Sequence, residues 1–393
     1  MLLSGRVVTP TAVLDDGAVV VNGDRIVWVG RRPDAPGAAI EPEGWRRGRT
    51  LLPGLVDIHC HGGAGAEFGA DLLAGQTAVN HHLHAGTTRV VGSLVSAPAE
   101  VLLAGVRAGA ELVRSGVLAG VHVEGPFLSE ARRGAQDPTA LIDPDPALVE
   151  TLCAEAGGTL LQMTFAPERA GSRALIEQLA SYDVIPAVGH TDADAGVARE
   201  ALQKVSALAP RGGKALVTHV FNGMPPLHHR SPGPAAAALG QAALAEAVLE
   251  VVGDGVHLAD ETVRMLFETV GPRSLALVTD AMAASGMPDG RYSLGGREVD
   301  VADRTARLAD GGAIAGGVAT LLDVVRRCVT RAGLPLRDVV TAASHTPAAV
   351  MGWNHVGALE PGRQADVVVC DDELQRVCVL RSGSWAAGPD VDA

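Results

Sequence analysis

From residue 54 to residue 280 the chain repeats one alternation. A short apolar run is followed by a longer segment rich in Ala, Leu, Glu and Arg, with apolar positions at helical spacing. The runs fall at 54–59, 88–95, 118–124, 160–165, 184–190, 215–219, 249–253 and 275–280. Short apolar runs read as buried strands, and the segments between them read as helices. Eight such β-α units predict a (β/α)8 barrel; a doubly wound open sheet is the competing arrangement. The count of eight and the polar residues closing many runs favour the barrel. No fixed-period sequence repeat is present.

The two ends have a different texture. Residues 6–9, 18–24 and 25–30 are β-rich runs parted by Gly, Asp and Pro, and Asn22-Gly23-Asp24 is a hairpin signal. Similar runs return near the C-terminus, at 357–363, 365–371 and 377–383. The expectation is a small discontinuous β-sandwich domain from residues 1–50 and 354–393, around a barrel at 51–353. Residues 291–312 read as a hairpin inserted after the eighth strand.

Composition narrows the class. The chain has 393 residues, 47% hydrophobic and 20% charged, which describes a folded globular protein. Aromatics make up 3%, so Ala, Val and Leu must fill the core. A net charge of −13 without basic clusters argues against nucleic-acid binding. The longest apolar-rich stretch, 234–256, is broken by Gln241, Glu246, Glu250 and Asp254, so no membrane span is expected. The first residues lack the charged start and long apolar region of a signal peptide. With five scattered cysteines, this leads to a cytoplasmic expectation.

The chemistry concentrates at strand ends. In Gly54-Leu-Val-Asp-Ile-His-Cys-His-Gly62, His59 and His61 stand two apart, so alternation puts both imidazoles on one face and turns Ile58 and Cys60 away. Cys60 then reads as a core residue. The ends of later strands carry Glu124, His190, His219 and Asp280. Six ligands converging on one mouth can hold two divalent ions, with one carboxylate shared. Taken singly, His219 could be a capping side chain and Glu124 a partner for Arg132. His122 shares the face of Glu124 and stands behind it. His81, His82 and His84 read as a polar helix face. The glycines at 62–65 do not form a dinucleotide fingerprint.

Six segments together resemble the amidohydrolase superfamily and, within it, the N-acetylglucosamine-6-phosphate deacetylases. They are residues 52–62, His122-Val-Glu-Gly-Pro-Phe127, Val188-Gly-His-Thr-Asp-Ala193, Thr218-His-Val-Phe-Asn-Gly-Met-Pro-Pro-Leu-His-His-Arg230, Asp254-Gly-Val-His257 and residues 278–290. The His-x-His pair marks only the superfamily; the second and fourth segments and Thr279-Asp-Ala-Met282 are more specific. The resemblance implies hydrolysis of the acetamide of N-acetyl-D-glucosamine 6-phosphate, in amino-sugar catabolism and cell-wall recycling. The alternatives are N-acetylgalactosamine 6-phosphate as substrate, or a non-catalytic scaffold on the same fold. It implies one or two divalent ions, zinc first, with iron, manganese or cobalt accepted by the same ligands. Related hydrolases bridge two metals with a modified lysine on the fourth strand. Here the only lysines are Lys204 and Lys214, so Glu124 takes that place. Asp280 becomes the general base and then the general acid. Asn222, Gly223 and Arg230 form the phosphate site, His257 contacts the sugar, and Gln136 stands where many relatives carry histidine. The resemblance further implies a homodimer in which Arg230 serves the neighbouring site.

Overall fold

A computed structural model describes residues 1–46 and 48–388; Arg47 and residues 389–393, which the sequence assigned to the small domain, lie outside the described residues. The middle of the chain is a (β/α)8 barrel. Its strands are Leu55–Cys60, Thr87–Val95, Gly120–Glu124, Leu160–Phe165, Ile185–Val188, Ala215–Val217, Ala247–Val251 and Leu275–Leu277, each parallel to its neighbour in chain order. The first and eighth strands meet only at the C-terminal rim. There His59 O accepts from Asp280 N (2.9 Å) and Ala281 O accepts from His61 N (2.7 Å). Asp57 Oδ2 accepts from Thr279 Oγ1 at 2.5 Å. The seam that completes the barrel is therefore built from the backbones of the candidate ligands and from residues beside them.

The lower barrel is filled by Val56, Ile58, Val91, Leu161, Ile185, Leu216, Val248 and Ala276, and Ala348, Val350 and Met351 plug it. Each Val, Ile, Leu or Met among them contributes roughly 1.5–3 kcal/mol by leaving water. Ile58 corrects the alternation expected from sequence. The ladder is irregular between Asp57 and Cys60, so Ile58 and His59 both point inward. One displaced residue switches the face of everything beyond it. Cys60 does face outward, into the core between barrel and helices.

A second correction concerns the helix Leu72–His84. His84 is exposed, but His82 is fully buried, its Nε2 2.9 Å from Gly62 O and 3.2 Å from Cys60 Sγ. Since Gly62 O can only accept, His82 donates from Nε2 and pins the helix to the chain leaving the first strand. Asp57, Cys60 and His82 lie close together, but Asp57 holds the barrel seam and His82 holds this carbonyl.

The terminal segments form one seven-stranded sheet. Its order is Ser384–Ala387, Arg376–Arg381, Val367–Cys370, Thr50–Pro53, Leu2–Val8, Val13–Asn22, Arg25–Arg31. It curls on itself: Ile26 N donates to Arg363 O (2.9 Å), and Leu3, Val19, Ile26, Leu51, Val367 and Leu380 share a core of their own. Strand Thr50–Pro53 leads directly into the first barrel strand. Gly54 makes that handover, because a Cβ there would stand 2.2 Å from Thr88 Oγ1. After the eighth strand the insertion has three strands, Gly290–Leu294, Arg297–Ala302 and Thr305–Leu308, where a hairpin was expected. Asp303 and Arg304 adopt φ of 48° and 60°, which makes the extra tight turn.

Candidate metal centre and cleft

Six side chains from five strand ends meet at the rim. His59 Nε2 lies 3.1 Å from His61 Nε2, and Asp280 Oδ1 is 3.4 and 3.3 Å from those two nitrogens. Glu124 Oε1 is 3.0 Å from His190 Nε2 and 2.9 Å from His219 Nε2, while Oε2 is 3.2 Å from His61 Nε2. The six thus divide into two compact triads, His59/His61/Asp280 and Glu124/His190/His219, with Glu124 reaching both. All six are buried. The partner suggested for Glu124 by sequence, Arg132, pairs with Asp192 instead. His190, His219 and Asp280 have φ of 46°, 27° and 48°. Non-glycine residues held there cost about 1–3 kcal/mol each, a strain concentrated at functional sites.

The histidines and carboxylates of the cluster shift one another strongly. Burial lowers an imidazole's pKa, yet Glu250 and Glu124 lift His59 to about 9, and Asp280 and Glu124 lift His61 to about 10. Burial raises a carboxyl's pKa, yet the histidines hold Glu124 and Asp280 below the usual range. No arginine or lysine is buried among the described residues, so the positive charge facing these carboxylates is either a proton on the histidines or a bound cation. Imidazole nitrogens and carboxylate oxygens in this arrangement fit one or two divalent ions.

Around the cluster stand other expected site residues. Gln136 donates to Glu124 Oε2 (2.7 Å) and accepts from Ser96 N (2.8 Å). It borders the cleft, and its amide orients the Glu124 carboxylate. His257 Nε2 lies 3.6 Å from Asp280 Oδ2, and its Nδ1 is 2.9 Å from Asp254 Oδ2. His122 bridges Ser93 Oγ (2.9 Å) and Thr164 Oγ1 (2.8 Å) with its ring centroid 4.7 Å from that of His59. Asn222 and Gly223 border the cleft; a Cβ on Gly223 would lie 2.8 Å from His190 Nδ1. Arg230 does not border it and sits on an exposed turn beside His229.

One carboxylate escaped the sequence reading. Glu250, on the seventh strand, is fully buried, 2.8 Å from His59 Nδ1 and 3.3 Å from the His219 backbone N. Alternation along Val248-Leu-Glu-Val-Val252 could have flagged an acid facing the barrel interior. The cleft above the ligands has a volume of about 210 Å³, with Leu294 and Ile314 from around the insertion closing one side. A larger cleft of about 500 Å³ lies beside the terminal sheet, away from this cluster.

Known proteins share this arrangement of chain. The amidohydrolase family model matches residues 50–386. The N-acetylglucosamine-6-phosphate deacetylase of Bacillus subtilis (strain 168) is 31% identical over 97% of this chain and 95% of that protein. The N-acetylgalactosamine-6-phosphate deacetylase of Escherichia coli O157:H7 is also 31% identical, over 89% and 92%. A solved structure, a mutant of N-acetyl-D-glucosamine-6-phosphate deacetylase from Mycobacterium smegmatis in complex with N-acetyl-D-glucosamine-6-phosphate, is 39% identical. It superposes with a TM-score of 0.91 over 99% of each chain.

Proposed function

The chain belongs to the amidohydrolase family, and on that footing we propose that it hydrolyses the acetamide of N-acetyl-D-glucosamine 6-phosphate to D-glucosamine 6-phosphate and acetate. It is a deacetylase of this type. The observation that carries the reading is the double placement of Asp280. One oxygen lies among the His59 and His61 nitrogens and the other faces His257.

Glu124, His190 and His219 would hold one ion, and His59, His61 and Asp280 a second, with zinc the proposed metal. A bound divalent ion activates a water and polarises the acetyl carbonyl. Asp280 accepts the proton of the attacking water and delivers it to the departing amine as the C–N bond breaks. The neighbouring histidines hold its carboxyl below the usual range, so it is ionised at neutral pH; its placement between the His59 and His61 nitrogens and His257 is what supports the role. His257, oriented by Asp254, contacts the sugar and steadies Asp280. Asn222 and Gly223 face the phosphate. The free, buried cysteines support a reducing cytoplasm, and no helix among the described residues is long and apolar enough to cross a membrane.

Acetate release, measured on metal-stripped protein resupplied with single metals, tests the reading. Turnover of N-acetylglucosamine 6-phosphate well above that of the galactosamine epimer supports it. The reverse preference would assign the second substrate, which the Escherichia coli relative keeps open. Absence of both activities in metal-loaded protein would leave the scaffold reading.

Arg230 completes the proposal. It follows Pro225 and Pro226 onto an exposed turn and does not reach its own cleft, which supports a homodimer in which each subunit lends it to the other. A charge-assisted contact is worth about 1.5–3 kcal/mol, roughly 10–150-fold. Arg230→Ala is expected to cut kcat/KM for the phosphorylated sugar by that factor. The weak reaction with unphosphorylated N-acetylglucosamine should barely change; equal losses on both would indicate a folding role. Mixing Arg230→Ala with Asp280→Asn subunits should restore activity, because each mixed dimer has one intact site. Verified heterodimers without activity would rule out action in trans.

A further inference from the structure

We propose that Glu250 is a positioning residue for the metal centre: it fixes the proton of His59 on Nδ1, presents Nε2 to the ion of the His59/His61/Asp280 triad, and so sets the affinity of that site. This rests on the two-ion reading above. On the seventh strand, Val248 and Val252 face the barrel interior, and Glu250 stands between them on the same face. A carboxylate in such a layer is costly unless paired. Among the described residues no lysine or arginine is buried, and the side-chain partners of Glu250 are His59 Nδ1 at 2.8 Å and the Gln162 amide at 3.4 Å. Gln162 is itself held by Ile58 O at 2.8 Å. The positive group facing Glu250 is therefore His59, through whatever cation its far nitrogen binds.

The four ligand histidines are not supported alike. His61 Nδ1 faces the Ser93 carbonyl (3.1 Å) and His190 Nδ1 the Arg132 carbonyl (2.8 Å). His219 Nδ1 has no partner. Of the four, only His59 has a carboxylate behind it. A carbonyl and a carboxylate both fix the tautomer, because each only accepts. The carboxylate also makes the imidazole a stronger donor to the metal, and removing such a partner typically costs about 10–100-fold in metal affinity.

The test is metal binding. Wild-type protein and Glu250→Gln are titrated with zinc under competition from a chelator, and bound metal is counted by elemental analysis. Glutamine keeps the shape and removes the charge. Wild type should bind two ions. The variant should bind the ion of Glu124, His190 and His219 with unchanged affinity and the other about 10–100-fold more weakly. His59→Ala, as a control, should lose that same ion. An unchanged second affinity, or equal weakening of both, would overturn the proposal. Wild type that binds a single ion would sink the two-ion reading first, and the proposal with it. Nitrogen-15 resonances of the histidines in metal-loaded wild type supply a check that needs no variant. His59 should carry its proton on Nδ1, and a proton on Nε2 would overturn the assignment.

Discussion

Glu124→Gln is expected to abolish metal binding at both triads and activity with it. The Glu124 carboxylate is buried, within 3.2 Å of His61, His190 and His219, and held by Gln136. An amide has one oxygen where the carboxylate presents two, and it is uncharged. Breaking a buried charged contact costs about 3–5 kcal/mol, roughly 150- to 4,000-fold in affinity. Elemental analysis after dialysis against a weak chelator should find the variant nearly metal-free. Wild-type metal content and turnover in the variant would refute the role assigned to Glu124. The loss should exceed that of any single histidine variant, because Glu124 alone reaches both triads.

Asp280→Asn separates proton transfer from metal binding. A general acid–base group contributes about 10²–10⁴-fold, so kcat should fall at least 100-fold while KM changes little. Asparagine keeps an oxygen for the ion and a contact toward His257, so the metal should be largely retained. Elemental analysis must accompany the kinetics, since lost metal would assign the defect to the ligand role. Near-normal turnover in metal-loaded Asp280→Asn would exclude Asp280 as the proton shuttle.

Much of this architecture is written locally. Each of the eight apolar runs is a strand because its residues bury as a strip, and in a barrel all strand C-termini reach one rim. A polar residue closing such a run is thereby delivered to the site. That is why His59, His61, Glu124, His190, His219 and Asp280 could be gathered from sequence, although they span more than 200 positions. The paired β-rich ends likewise predicted a joint terminal sheet.

Register and long-range contact lay beyond that reasoning. The irregular ladder after Asp57 puts Ile58 inward beside His59, a slip no alternation rule contains. His82 was read as part of a polar face, yet its helix packs where Gly62 offers a carbonyl. Gln136 borders the cleft, and only the fold shows that its amide also donates to Glu124. Glu250 touches His59 across 191 positions. The sequence by itself determined the barrel, the terminal sheet and the six side chains that cluster at the barrel rim, because these follow from patterns within single strands. Only the tertiary structure decided how Glu124 spans both triads, which carboxylate stands behind His59, and that Arg230 lies outside its own cleft, because these depend on how separate strand ends and loops are brought to one rim.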